Sequence, residues 1–162
     1  MRWIVVAVGR LKEPFFRQGA DEYLARLGRY RQVKLVEVPD APVRQGREAD
    51  ALRQQADRIR QAAGGAKIVA LSERGEQLAT DALAARLEIL EGVGGDLCFA
   101  VGGANGLDPA LERDAAWLLG LSRLTLPHQL ARVVLLEQLY RVETVRRGEP
   151  YHRAGDPAER VR

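Results

Sequence analysis

Short runs of apolar and β-branched residues alternate along this chain with longer stretches whose apolar positions recur at helical spacing. Residues 3–8, 33–38, 68–71 and 97–101 are the clearest of these runs, and each predicts a strand, with residues 117–121 predicting a fifth. Residues 15–30, 48–63, 81–91 and 109–116 have the length or spacing of helices. Their borders are chemically consistent. Pro14 opens the first helix, Gly64 and Gly65 close the second, Thr80 is placed to cap the third, and Asp108-Pro109 opens the fourth. The alternation βαβαβαβαβα, with nearly continuous apolar strands, predicts an α/β fold with a mostly parallel sheet and helices on both faces.

The last helix is read with Pro127 as its first residue, where a missing N–H costs nothing, and runs to about Arg147 before Gly148. Its apolar stripe, from Leu130 through Val134 and Leu139 to Val145, is broad for a surface helix. Packing on the sheet accounts for most of that stripe, and a second subunit is a reason for the rest. Ligands of open parallel sheets sit beyond the carboxyl ends of the strands. The turns after Leu71, Val101 and Leu121 are therefore the places to look. Residues 39–47 form the one long irregular stretch and predict an exposed basic loop.

At 162 residues, one domain accommodates the chain and buries roughly 68–70% of the surface that its unfolded form exposes. The net charge is only +3, but it is unevenly spread: residues 1–67 net +6, residues 68–140 net −5 and residues 141–162 net +2. Basic ends flanking an acidic middle are compatible with a phosphate-facing surface and equally with solvated helix faces. The single cysteine, Cys98, falls inside a strand and has no partner for an internal disulfide. With two histidines and one cysteine dispersed over the chain, no metal site is expected. The apolar run after Arg2 meets Arg10 and Lys12 too soon for a secretory leader, and no run approaches the 18 or more apolar residues of a membrane span, so a cytoplasmic protein without membrane association is expected.

Several segments of the last third carry chemistry. Gly102-Gly-Ala-Asn-Gly106 follows the fourth strand, where glycines let backbone N–H and C=O groups approach a ligand, although a tight connection has the same composition. The spacing is not the G-x-G-x-x-G of dinucleotide folds, and no Walker lysine follows. Ser122-Arg123-Leu124-Thr125-Leu126-Pro127 alternates small polar and leucine side chains that can wrap an adenine or line a core. His128 stands second in the last helix and can accept a proton or hydrogen bond as a neutral imidazole. One turn on, Arg132 is placed to reach a phosphate or to pair with Glu137 or another carboxylate. Glu137 and Arg141 have the spacing of a helix-surface ion pair, with Tyr140 between them as packing. Tyr151-His152-Arg153 offers an aromatic, an imidazole and a guanidinium suited to stacking, hydrogen-bonding and neutralising a nucleotide, or else a frayed end.

The order Gly-Gly-Ala-Asn-Gly-Leu, Leu-Thr-Leu-Pro-His, Arg-Val-Val-Leu-Leu-Glu-Gln-Leu-Tyr-Arg and Tyr-His-Arg closely resembles the ribosomal RNA large subunit methyltransferase H family, of the SPOUT class of S-adenosylmethionine-dependent methyltransferases. The likeness runs from Val-Ala-Val-Gly9 through Asp21-Glu-Tyr-Leu24 to Arg153. It implies a SPOUT fold with a C-terminal trefoil knot, a homodimer, and methylation of ring nitrogen 3 of a pseudouridine in the 23S rRNA of the assembled ribosome. It also implies that Leu71, Gly102, Gly103 and residues 122–127 bind S-adenosylmethionine. His128, Arg132, Tyr151, His152 and Arg153 then meet the target nucleotide, with the tail of one subunit completing the pocket of the other. The chain departs from the pattern by continuing through residues 154–162, so a single domain over residues 1–153 with a polar extension is expected.

The implied reaction joins a sulfonium methyl to an imide nitrogen that must lose a proton. His128 or His152 is the candidate acceptor, and Arg132 and Arg153 are candidates to stabilise the anion or a neighbouring phosphate. A ribosome-binding factor that kept the fold without the activity is the alternative reading. An oxidoreductase or hydrolase of doubly wound type is disfavoured by the missing glycine fingerprint and the missing G-x-S-x-G elbow.

Overall fold

Among residues 1–152, which the computed structural model describes, strands and helices alternate without interruption. They are β1 (Trp3–Val8), α1 (Pro14–Leu27), β2 (Val33–Val38), α2 (Glu48–Ala63), β3 (Lys67–Gln77), α3 (Thr80–Gly92), β4 (Leu97–Val101), α4 (Pro109–Asp114), β5 (Trp117–Gly120) and α5 (His128–Arg146). Arg153 and the extension 154–162 lie outside the described residues. The five strands form one sheet in the order β2-β1-β4-β3-β5, and every ladder is parallel.

Side chains of a strand alternate between faces, and here both faces are covered. Trp3, Val5, Ala7, Leu97, Phe99 and Val69 pack with the inward residues of α1, α3 and α5. Ile4, Val6, Val8, Cys98, Ala100 and Ala70 pack on the other face with Ala56, Ile59 and Ala63 of α2 and Leu111 of α4. Trp3 meets Phe99 edge to face at 5.6 Å, the geometry that aromatic quadrupoles favour. Burial pushes the Cys98 thiol up to about 12, so it behaves as a small apolar residue.

Four details depart from the sequence reading. First, β3 runs 11 residues rather than stopping at Leu71, because residues 72–75 leave the ladder and the strand then resumes: Leu71 and Glu76 both register with Leu119. Second, Thr80 is not a cap. Ala79 holds that position without a side-chain bond, and the Thr80 hydroxyl donates to Gln138 Oε1 at 3.0 Å, tying α3 to α5. Third, α1 ends at Leu27 and α4 at Asp114, earlier than their apolar patterns extend. The Ala115 backbone is extended, and the Ala116 N–H joins β3 through Ile68 O at 2.8 Å. Fourth, Pro127 is the cap of α5, with extended ψ of 142°, so His128 is the first helical residue rather than the second. The cap at Asp108 is as read, its carboxylate accepting from the Ala110 and Leu111 N–H groups.

The amino end of the sheet is closed by charge. Glu143 is 1% exposed and pairs with Arg31, Arg146 and Arg147, while Glu91 accepts from the Trp3 indole at 2.7 Å and pairs with Arg31 and Arg146. Three guanidinium groups around it leave the buried Glu143 carboxylate fully compensated.

At the opposite end, where β3 resumes beside β5, the two backbones nearly touch. A Cβ on Gly75 would lie 2.4 Å from Gly120 N, and one on Gly120 would lie 2.7 Å from Gly75 O. Backbone cannot yield as a flexible side chain does. Gly75→Ala and Gly120→Ala are each expected to lower stability by about 1–3 kcal/mol in urea unfolding, the usual cost of forcing extra volume into a packed site. Gly92→Ala is the control: a Cβ there meets nothing within 4 Å, and its effect should be near zero or slightly favourable. Equal effects at the three positions would show that the close approach does not constrain the fold.

Candidate active site

The carboxyl ends of β3, β4 and β5 open into one cleft of about 880 Å³. That volume lies within the range of small-molecule sites. Three connections build its walls, each from a different strand end. The first is the bulge of β3, which places Ser72, Glu73 and Arg74 on the cleft beside Leu71. The second is the glycine turn after β4. Gly106 donates to Gly103 O at 3.0 Å, and a Cβ on Gly102 would lie 2.6 Å from the Gly106 carbonyl, so the limbs of the turn meet backbone to backbone. Gly106 itself takes φ +76°, a conformation open to glycine. The third is the connection after β5. There the Leu124 N–H donates to Ser122 Oγ at 2.9 Å, fixing the start of the loop, and the Pro127 cap directs the chain into α5.

Most of the sequence-derived ligand residues meet in this cleft. Leu71, Gly102, Gly103, Ser122, Leu124, Thr125, Leu126 and Pro127 all line it, and His128 lines it with them. Arg123 does not: it is exposed and is not part of the wall. Reading the sequence alone missed Glu73, Arg74 and Glu112, the last from α4. The signal that points to the first two is the glycine at 75, which ends an otherwise polar stretch where a simple strand has no need of one. Arg74 pairs with Glu112, whose side chain is only 10% exposed. Glu73 and Glu112 are the carboxylates of the lining and Arg74 its guanidinium, so the wall carries more acid than base. Backbone groups, leucines and a slight excess of carboxylate together suit a ligand with an apolar-faced ring and a positive charge. Among the described residues no group of His, Cys, Asp and Glu could hold a metal ion.

The residues read as meeting the target divide differently. Arg132 is 1% exposed and is spent inside the chain, donating to Glu37 Oε1 at 2.6 Å and to Gly9 O at 2.9 Å. Its carboxylate partner is Glu37 of β2 rather than Glu137. It faces inward because α5 lies along the sheet, where position 132 meets the end of β1 while Ala131 faces the cleft. A phosphate therefore does not reach it directly in this chain. Glu137 and Arg141 form the pair their spacing predicts, and Tyr140 packs against Tyr23 and Tyr30.

Tyr151 lies along the middle of α5 and His152 beside the start of α3, and neither lines the cleft of its own chain. The Tyr151 ring contacts Tyr140 at 4.6 Å, carries the Arg141 guanidinium 4.5 Å over its face, and donates its hydroxyl to Glu137 Oε1 at 3.1 Å. Burial first, and the Glu137 charge second, push its phenol up to about 12, so it remains a donor. His152 Nε2 is 3.4 Å from Asp81 Oδ1 at the start of α3, and its buried Nδ1 has no partner among the described residues.

A family described as predicted SPOUT methyltransferase matches residues 1–152. The chain is 42% identical over 159 residues to the ribosomal RNA large subunit methyltransferase H of Cupriavidus taiwanensis, covering 95% of this chain and all of that protein. It is 43% identical over 154 residues to the protein of that name in Anaeromyxobacter sp. strain Fw109-5, covering 94% of this chain and all of the other. The fold is similar to the crystal structure of tRNA (m1G37) methyltransferase from Aquifex aeolicus, with a TM-score of 0.58 at 13% identity over 97% of this chain and 77% of that one. The match over nearly the whole length, on a parallel sheet whose strand ends build the cleft, shows that the chain belongs to the ribosomal RNA large subunit methyltransferase H family of SPOUT methyltransferases.

Proposed function

We propose that the protein transfers the methyl group of S-adenosylmethionine to ring nitrogen 3 of a pseudouridine in 23S rRNA, acting in the cytoplasm on the assembled ribosome. The observation that carries this reading is the convergence of the β3 bulge, the glycine turn and the Ser122–Pro127 connection on one cleft beside His128. The names of the curated relatives supply the RNA class. No helix among the described residues is long and apolar enough to cross a membrane.

The cleft suits the methyl donor on three counts. Its volume accommodates a nucleoside, the Gly102–Gly106 contact brings main-chain groups to the wall, and Glu73, beyond the Arg74–Glu112 pair, favours a cation. When bound, the donor supplies an electrophilic methyl on a positively charged sulfur. The residues of this chain would hold and orient it, with the glycine turn, the connection after β5 and the side chains of Leu71 and Leu124 as the walls available to its purine and ribose. Orientation of this kind is worth about 7–11 kcal/mol of the barrier. In the balanced step the nitrogen–methyl bond forms as the sulfur–methyl bond breaks, and the imide proton leaves to a base. His128 lies at the cleft for that task, with His152 as the second candidate.

The position of the tail supports a homodimer as the active unit. Tyr151 and His152 are ordered against α5 and α3 but stand off their own cleft, and half-buried apolar positions such as Leu130 and Val134 remain on α5. We assign the tail, Arg153 included, to the pocket of the second subunit, and residues 1–153 to one catalytic domain. The trefoil knot belongs to the same reading, supported by three connections crowded around one cleft and by the Gly75–Gly120 contact.

Two measurements test these assignments. A Cβ on Gly103 would lie 3.2 Å from Val8 Cγ1, so the larger side chain of Gly103→Leu crowds Val8 and the turn that walls the cleft. It should retain the circular dichroism of the wild type and lose S-adenosylmethionine binding by calorimetry. Wild-type affinity would move the donor site elsewhere. His152→Ala should keep donor affinity while losing about 10²–10⁴-fold in methyl transfer to ribosomes, the usual range for a general base. A parallel loss of donor affinity would instead place His152 in the donor site.

A further inference from the structure

The arginines at the two ends of the sheet are used differently. At the amino end Arg2 pairs with Asp96, and Arg31, Arg146 and Arg147 share Glu91 and Glu143. At the carboxyl end, the loops after β1 and β2 carry Arg10, Lys12, Arg44 and Arg47. All four are exposed, and among the described residues none makes an ion pair. The acids near them are engaged or stand alone: Asp40 accepts from Gln55 and Glu48 from the Gly46 N–H, while Glu13 is exposed.

These loops are anchored. Arg17 donates to Leu11 O at 2.9 Å and Arg58 to Pro39 O at 2.8 Å, so a guanidinium from the following helix ties down each one. The first loop is also fixed to α5, with the Lys12 N–H donating to Gln129 Oε1 at 3.1 Å, next to His128 of the cleft. A hollow of about 470 Å³ opens beside it, with Arg10, Arg17, Asp21 and Glu37 on its wall. The second loop closes a turn through the Arg47 N–H and Arg44 O at 2.8 Å, and its Asp40 lies 3.8 Å from where a Cβ on Gly103 would stand. Both loops thus abut the walls of the cleft.

Unpaired cations held on fixed loops suit a partner whose negative charge is regularly spaced and solvent-exposed, which describes a nucleic-acid backbone. We propose that Arg10, Lys12, Arg44 and Arg47 form a phosphate-binding strip that grips the RNA flanking the methylated nucleotide. The inference rests on the rRNA reading above. It locates the RNA track on the carboxyl rim of the sheet, where four exposed cations stand on two anchored loops of a chain whose net charge is only +3.

The test compares wild type with Arg10→Gln/Lys12→Gln and Arg44→Gln/Arg47→Gln. Sedimentation measures binding to ribosomes from 50 to 200 mM salt, calorimetry measures donor affinity, and methyl transfer is followed on the same ribosomes. Each pair should weaken ribosome binding at least fivefold and reduce the slope of log affinity against log salt by about 0.7–0.9 for each phosphate that the variant no longer neutralises, with donor affinity unchanged. Unchanged ribosome affinity and slope in both pairs would overturn the strip, as would a wild type that does not bind ribosomes. So would variants that lose binding to phosphatidylserine vesicles but not to ribosomes, which would make the rim a lipid surface. A wild type that binds ribosomes without transferring methyl groups would overturn the catalytic reading alone, since the salt slopes still decide the strip.

Discussion

The site depends on backbone approaching backbone more closely than any side chain permits. Gly75 and Gly120 meet where the bulged β3 rejoins β5, and Gly102 and Gly106 meet within the turn after β4. Each contact draws a connection inward at the carboxyl edge of the sheet. Together they set the distance between the β3 bulge, the glycine turn and residues 122–127, the three walls of the cleft. A side chain at Gly75, Gly102 or Gly120 would collide with the facing backbone and spread these connections. The rest of the fold serves to hold those strand ends steady: a five-stranded parallel sheet with apolar cores on both faces and a closed ion-pair cluster at the far end.

Electrostatics follows the same polarity. The amino end of the sheet uses its carboxylates to bury or cover arginines, whereas the carboxyl end leaves its loop cations exposed and gives the cleft an excess of acid. One end is thus spent on stability and the other kept for ligands, as expected of open α/β sheets. Arg132 marks the border. It reaches from α5 to Glu37 and Gly9 O, locking the helix that begins with His128 to the end of β1. Its contribution to the site is positional, because a guanidinium buried this fully holds its partners rather than a substrate.

The architecture was legible in the sequence because its strands are buried on both faces and therefore read as uninterrupted apolar runs. The boundaries of β1, β2 and β4 and of α2 coincide with the pattern. What escaped was governed by pairing rather than composition. The second half of β3 is polar, so nothing in hydropathy distinguishes its return to the ladder from a loop, and with it went the wall formed by Glu73 and Arg74. Thr80 has the chemistry of a cap, but a tertiary bond to Gln138 takes its hydroxyl. Arg132 has the spacing of a residue that shares a face with His128, yet whether that face meets solvent or the sheet depends on how α5 lies, which spacing does not encode. The cleft-lining residues of the glycine turn and of the connection after β5, Arg123 excepted, were recoverable because the chain order of unusual short motifs is itself specific, even where each motif is weak alone.

The most direct test of this account is a crystal structure of the protein grown with S-adenosylmethionine. The account predicts the donor between the Gly102–Gly106 turn and residues 122–127, its purine held by main-chain groups and its sulfonium facing the carboxylate-bearing wall. A donor bound at a different surface, with this cleft empty at full occupancy of the other, would contradict it.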